Sequence, residues 1–270
     1  MLAPWQWSNP LRLAKVLSGR LPVSWKQQLN KVYHRYTIRR EQEPREFRVL
    51  RHLVQHGELI VDAGANVGVY TVFFARCAPP GTQVMAIEPI PTTFEVLSDT
   101  VSSLGLANVT LVSCAVSDQP RQVVMEIPAA ADGQSVHALA RITYTDQPRR
   151  VAATYTIDAR PLDDLLQRDA RRVSLIKFDV EMHELQAITG SLGVIRRDRP
   201  AIYVEIQPDL RFKPSQRDDI IALLAPHGYR PFCYDGETVT PWVVGRKALD
   251  YLFLADAHIE RLAAAGLLVE

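Results

Sequence analysis

The chain has 270 residues, of which 47% are hydrophobic and 23% charged, and its formal net charge is +1. This is the balance of a globular protein with a full core, and it excludes disordered, collagen-like and strongly polyelectrolyte chains. The three cysteines, Cys77, Cys114 and Cys233, stand far apart with no C-x-x-C, so buried reduced thiols are expected rather than a zinc centre or a disulfide framework.

Taken in order, residues 1–40 hold eight Lys/Arg and no Asp or Glu, leaving 23 basic against 30 acidic residues in the rest. A basic arm on an acidic body can signal an anionic partner. Leu11, Ala14, Leu17 and Leu21 are spaced for one helical face, and Trp25, Leu29, Val32 or Tyr33, and Tyr36 for a second, with Pro22 between them. Amphipathic helices ordinarily serve the core, which favours a helical lid. The other reading, helped by Trp5 and Trp7, is peripheral membrane contact with anionic lipid or a lipid-linked substrate. No run of 18 apolar residues and no signal-peptide pattern occurs, so the cytoplasm is the expected compartment.

Glu43 to His56 reads as a helix with Phe47, Leu50 and Leu53/Val54 inward and Gly57 stopping it. The stretch around which the chain is organised follows, Glu58 to Thr71, ELIVDAGANVGVYT. Leu59-Ile60-Val61 suits a buried strand; Asp62 and the glycines Gly64 and Gly68 make a turn; Val69 to Cys77 continues as a packed helix. Strand, glycine turn and helix bring a cofactor against a helix N-terminus in α/β folds. The spacing G-x-x-x-G differs from the dinucleotide fingerprint G-x-G-x-x-G, and the charge of Asp62 would repel a pyrophosphate. A cationic ligand without phosphate suits it better, and S-adenosyl-L-methionine, with an ammonium and a sulfonium, has that character.

Gln83 to Ile87 is the second strand, ending at Glu88-Pro89, with Glu88 placed to take the two hydroxyls of a ribose. Phe94, Leu97, Val101 and Leu104 mark a helix, and Asn108 to Ala115 a third strand ending beside the adenine pocket. Residues 118–160 change character. Gln122 to Ile127 and Ala152 to Ile157 read as strands, and Pro128 to Arg150 as a loop-rich insertion on the acceptor side, where Arg141, Arg149 and Arg150 are solvated or meet an acidic acceptor. Ser174 to Val180 is the fourth parallel strand, with Glu181, Met182, His183 and Glu184 opening the next helix, and Pro200 to Ile206 is the fifth, with Glu205 near its end. Ser215 to Pro226 is a helix closed by Gly228, and Tyr229 to Tyr234 with Tyr251 to Ala255 an antiparallel pair. Alternating strands and helices imply a doubly wound sheet with ligands at the C-terminal ends of its strands.

Sequence order thus gathers Asp62, Glu88, Asp179, Glu181, His183, Glu184 and Glu205 on one sheet edge. So many carboxylates are worth desolvating if they meet cations, hydroxyls or a metal. Methyl transfer from a sulfonium to a hydroxyl needs in-line positioning and removal of a proton. His183 is the candidate base, with Glu181 orienting it or the acceptor, and Asp179 lies near the cofactor's methionine end. A structural His183 that caps the helix or bonds to backbone is the competing reading. Asp179, Glu181 and Glu205 could also offer oxygen ligands to Mg²⁺, which the chemistry does not require.

The segments VDAGANVGVYT, AIEP, NVTLVSCAVSD, YTIDARPLDDL and LIKFDVEMHELQAITG followed by RPAIYVEI resemble the FkbM family of S-adenosylmethionine-dependent methyltransferases, from about Glu43 to Ala255. The resemblance implies a Rossmann-like class I methyltransferase domain over residues 43–270, preceded by the 1–42 extension. Its sheet would be seven-stranded and mostly parallel, the last strand inserted antiparallel. It also implies O-methylation of a sugar, glycolipid or other natural product. Carried onto this sequence, the cofactor loop falls on Asp62, Gly64, Asn66, Gly68 and Thr71, the ribose acid on Glu88 beside Pro89, the adenine wall near Ala115, and the acidic segment on Asp179, Glu181, His183 and Glu184. One departure stands out: Met182 replaces the glycine usual between the Glu and the His, a strained choice if that position needs positive φ. Two other functions compete, a nucleic-acid methyltransferase guided by the basic arm and a non-catalytic binder of the same cofactor. No RNA-binding module is visible and the fourth strand lacks an Asn/Asp-Pro-Pro turn, so a nucleic-acid partner is not expected. Oligomeric state is open.

Overall fold

The computed structural model describes residues 44–54, 58–128, 141–142, 151–207 and 215–269. The two helices read into residues 1–40, the centre of the 118–160 insertion with Arg149 and Arg150, and the Gly57 stop lie outside the described residues.

Four apolar runs build the centre of a parallel sheet: β1 (Leu59–Ala63), β2 (Gln83–Ile87), β8 (Val173–Phe178) and β9 (Ala201–Glu205). β1 and β8 are buried at every position, as strands covered by helices on both faces must be. The short strand β3 (Val109–Val112) extends the sheet beyond β2. On the far side, β12 (Asp250–Leu254) inserts antiparallel between β9 and β10 (Arg230–Tyr234), which fulfils the expected antiparallel pair. The order is β11-β10-β12-β9-β8-β1-β2-β3. The sheet therefore has eight strands, not the seven expected, because Val239–Pro241 adds the edge strand β11 beside β10. Three residues ending in proline give no period to read, and an edge is where a strand tolerates proline.

One face packs on α1 (Phe47–Leu53), α2 (Val69–Cys77) and α8 (Asp256–Ala264) through Ile60, Leu175, Tyr203, Phe73, Phe74 and Leu50. α3 (Pro91–Ser103) joins them over Ala86 through Leu97 and Val101. The opposite face carries the short α4 (Leu162–Leu165), then α5 (Glu184–Thr189), α6 (Leu192–Asp198) and α7 (Arg217–Leu224), packed on Val61, Ile176, Phe178 and Val204. Helices on both faces make the sheet doubly wound, as expected. The order reverses between β1 and β8, so a crevice opens outside their C-terminal ends, where such folds bind ligands.

A second sheet, β4-β7-β5-β6, stands over this crevice. β5 (Arg121–Pro128) and β7 (Val151–Arg160) pair antiparallel along their length, with β4 (Ala115–Val116) and β6 (Arg141–Ile142) at the edges. The flanks of the 118–160 segment are thus longer strands than their composition suggests, and Met125, Ile127, Ile157 and Ala159 pack with Ile90 and Ala115 in a small core beside the crevice.

Candidate active site

The crevice holds a cavity of about 330 Å³, in the range of small-molecule sites. Gly64, Asn66, Glu88, Pro89, Ala115, Asp179, Glu181 and His183 all line it, so the structure brings these candidates together. Glu205, Gln207, Thr93 and an apolar wall of Ile87, Ile90, Cys114, Val116, Met125 and Val180 complete it.

Two backbone features shape the floor. Gly64, with φ +78, runs so close to the β8 turn that a Cβ there would stand 1.8 Å from the Asp179 carbonyl oxygen. No side chain can replace that hydrogen without parting β1 from β8. Opposite, Glu88 is buried, and each carboxylate oxygen accepts one backbone N–H, from Asn66 at 3.0 Å and from Ile90 at 2.9 Å. Burial pushes its carboxyl up to about 7, against the pull of those two N–H groups and of Lys177. The carboxylate is thus fixed in orientation with acceptor capacity left over, which is what a vicinal diol would use.

Three residues of the glycine-loop expectation lie elsewhere. Asp62 is wholly buried beneath the loop and does not line the cavity; it accepts the Thr71 hydroxyl at 2.6 Å and faces the Lys177 ammonium at 3.4 Å. Thr71 is likewise buried, its hydroxyl spent on Asp62. Gly68, with φ +97 at the start of α2, allows close packing on Leu97 and Thr100 of α3 rather than on a ligand.

The reason is sheet register. Asp62 is the cross-strand partner of Lys177, and Lys177 of Tyr203, so all three project from the α1–α2 face. Two residues further along those strands, on the same face, come Asp179 and Glu205, and Asp250 is the register partner of Glu205. The apolar face thus turns polar in its last two rungs. Lys177, 2% exposed, sits at the centre: 3.2 Å from Asp179, 3.4 Å from the Gly64 carbonyl oxygen and 4.6 Å above the Tyr70 ring. Burial alone would lower its pKa, but Asp179 and Asp62 together outweigh that and raise it, so the ammonium stays charged. Sequence reasoning collected the acids and missed this cation. The signal was there, since Asp179 follows Lys177 by two residues at the end of β8 and takes the same face.

Beyond Lys177 the Tyr70 hydroxyl contacts Glu46 and, at 3.3 Å, the Tyr203 hydroxyl, which donates to Asp250 at 2.8 Å. Burial raises the pKa of both tyrosines, so they remain protonated. Glu205 is pushed up to about 7, first by desolvation and then by Asp179 and Asp250.

At the acceptor end the turn is strained. Glu181 and Met182 have φ of +52° and +70°, the left-handed region that non-glycine residues enter at a cost. The turn is held from both sides. Glu184 accepts the Met182 N–H at 2.8 Å, Gln216 donates to the Met182 carbonyl at 2.7 Å, and the Gln216 side-chain oxygen accepts the Leu185 N–H at 2.8 Å. Glu184 is thereby buried in the turn and absent from the cavity lining. His183, 1% exposed, occupies the N-cap position of α5 without a side-chain cap bond; its Nε2 lies 3.0 Å from the Ser117 hydroxyl. Ser117 is also bonded to Asp118 and Arg121, so the imidazole meets a side-chain cluster. Among the described residues no group of three His, Cys, Asp or Glu has metal-holding geometry.

A doubly wound sheet with one inserted antiparallel strand, and a crevice at its C-terminal edge lined by a glycine turn and a buried carboxylate, is the class I methyltransferase type of α/β fold. Residues 62–231 match the methyltransferase FkbM domain, and the chain belongs to that family of S-adenosylmethionine-dependent methyltransferases. It is 27% identical over 145 residues to "Methyltransferase 1" of Beauveria bassiana (strain ARSEF 2860), covering 48% of this chain and 57% of that protein. It is 27% identical over 204 residues to the 31-O-demethyl-FK506 methyltransferase FkbM of Streptomyces tacrolimicus, covering 67% and 76%. The chain therefore spans little more than half the length of the first of these relatives. Among solved structures it is similar to methyltransferase FkbM from Methylobacillus flagellatus KT, with a TM-score of 0.45 and 16% identity over 83% of this chain and 59% of the other.

Proposed function

We propose that the protein transfers a methyl group from S-adenosylmethionine to a hydroxyl of a sugar, glycolipid or other natural product. The observation that carries the reading is the buried Glu88 carboxylate, fixed by two backbone N–H groups at one end of a cavity whose other end holds Asp179, Glu181, His183 and Glu205.

Glu88 would take the ribose hydroxyls, with Asn66 and Pro89 beside it, and Ile87, Ile90, Ala115 and Met125 would enclose the adenine. Gly64 leaves room for the methionine portion, next to Asp179. Bound there, the cofactor supplies an electrophilic methyl group on a positively charged sulfur. The chain's own task is to exclude water, orient a hydroxyl and accept one proton. In this reading His183, held by Ser117, is the base, and Glu181, aimed by the strained turn, orients it or the acceptor. No described helix is long and apolar enough to cross a membrane. Lipid contact through residues 1–40 remains a separate proposal, tested by liposome pelleting with and without that arm.

The test is incubation of purified protein with S-adenosylmethionine labelled at the methyl group and fractionated extracts of its own cell. Label in a small molecule or glycolipid as a base-stable methyl ether supports the reading. Label confined to RNA, or none in any fraction although the cofactor binds, sinks it. In His183→Ala the labelling rate should fall while cofactor affinity stays within about threefold; an unchanged rate removes His183 as base.

A further inference from the structure

Asp62 poses a problem that the cavity does not solve. It is a carboxylate at 0% exposure that does not line the cavity, and its Oδ1 has no hydrogen-bond partner, only the ammonium of Lys177 at 3.4 Å. Lys177 is equally out of place, the one charged residue in the otherwise apolar or small run of β8. Burying an acid and a base side by side is stabilising only with good geometry, and apolar residues usually serve as well. The count around Lys177 is one cation to two anions, Asp62 behind it and Asp179 in front. The two anions differ in access: the Asp179 side chain keeps 32% of its surface and lines the cavity. The Gly64 carbonyl and the Tyr70 ring close in on the ammonium from other directions.

We infer that Asp62 is a positioning residue that acts on the bound cofactor through Lys177: by engaging the ammonium from behind, it leaves Asp179 with uncompensated negative charge facing the cavity, and that charge favours a cationic methyl donor over its demethylated product. Without Asp62, Lys177 and Asp179 would cancel and the cavity would face a neutral pair. The two ligands make the distinction readable, since S-adenosylhomocysteine is S-adenosylmethionine with a neutral thioether in place of the sulfonium. Apart from that charge they differ only by the transferred methyl group, so a change in the ratio of their affinities between variants reports a change in the field at the sulfur. The inference rests on the proposed function, because it presumes that the cavity takes this cofactor.

The experiment is calorimetric titration of wild-type protein, Asp62→Asn and Asp179→Asn with S-adenosylmethionine and, separately, with S-adenosylhomocysteine. The amide introduced by Asp62→Asn keeps an oxygen for the Thr71 hydroxyl, and circular dichroism reports whether each variant is folded. The expected result is a fall of about tenfold in the methionine-to-homocysteine affinity ratio in Asp62→Asn, as loss of one charge roughly 12 Å away at an effective dielectric of about 20 predicts. The same fall is expected in Asp179→Asn, and a further fall in the double variant, where the Lys177 ammonium is left without either carboxylate. An unchanged ratio in folded Asp62→Asn, or in Asp179→Asn should the first not fold, overturns the inference. Failure of the wild-type protein to bind either ligand overturns the proposed function instead, so the two failures are distinct.

Discussion

Replacing Lys177 with methionine removes the cation between Asp62 and Asp179 at little change in volume. The magnitude follows from the two contacts. Asp179, a third exposed, can turn its carboxylate to water, so the 3.2 Å pair contributes little after screening. Asp62 has no such escape: it is wholly buried and would keep only the Thr71 hydroxyl. Stranding one partner of a buried ion pair costs about 3–5 kcal/mol, a large share of the roughly 5–15 kcal/mol that holds a domain together. For a domain of this size that lowers the melting temperature by about 10 °C. Urea unfolding followed by circular dichroism measures it. Because the cost lies in the stranded carboxylate, adding Asp62→Asn to Lys177→Met should recover most of it. A stability within about 1 kcal/mol of wild type, or no recovery in the double variant, would refute this account of the buried charges.

Glu88 carries a pH prediction. Its folded pKa of about 7 lies above the unfolded value of 4.5, so its contribution to stability is fully present below pH 4.5 and is lost as pH rises through 7. The loss is of order 3 kcal/mol; Glu88→Gln should flatten this slope in urea unfolding between about pH 4.5 and 7, and an identical slope would remove Glu88 as its source. Binding of a diol to the ionised carboxylate should release a proton near pH 7 in wild type and none in Glu88→Gln, as calorimetry in buffers of different ionisation enthalpy can detect. Gly64→Ala should fail to fold or lose several kcal/mol, given the 1.8 Å clash with the Asp179 carbonyl; a wild-type melting curve would show that the close approach is absent. Met182→Gly relieves a left-handed φ of +70° and should raise stability by up to about 1 kcal/mol, the gain being offset in part by the freer unfolded chain. A loss above about 1 kcal/mol would mean that the methionine side chain matters more than its backbone.

The central strands were legible because each is a mainly apolar run ended by an acid: Leu59-Ile60-Val61 before Asp62, Gln83–Ile87 before Glu88, and Ser174–Phe178, broken only by Lys177, before Asp179. The acids at those ends mark the sheet edge, so Glu88, Asp179 and Glu181 could be placed around one crevice before any coordinates. Strand period also determined which face each residue takes, but not what covers that face. Asp62 is therefore behind the loop, under α2, where the reading had it facing a ligand. Only the register across β1, β8 and β9 puts Lys177 between Asp62 and Tyr203, and register is a property of pairing that no single strand encodes. The methionine in the turn could be read as strained only with its backbone angle in view. Ser117 lies in a quoted motif, yet its partnership with His183 spans 66 residues and comes from the second sheet meeting the first.

The proposed function requires that the crevice at the ends of β1, β2 and β8 seat the methyl donor. Its most direct measurement is titration of wild-type protein and Glu88→Ala with S-adenosylmethionine by calorimetry, at a pH above 7 where the carboxylate is ionised. Saturable binding at one site in wild type, weakened at least about tenfold in a folded Glu88→Ala, is the predicted result. Equal affinity in the two proteins, or no binding to wild type, would contradict it.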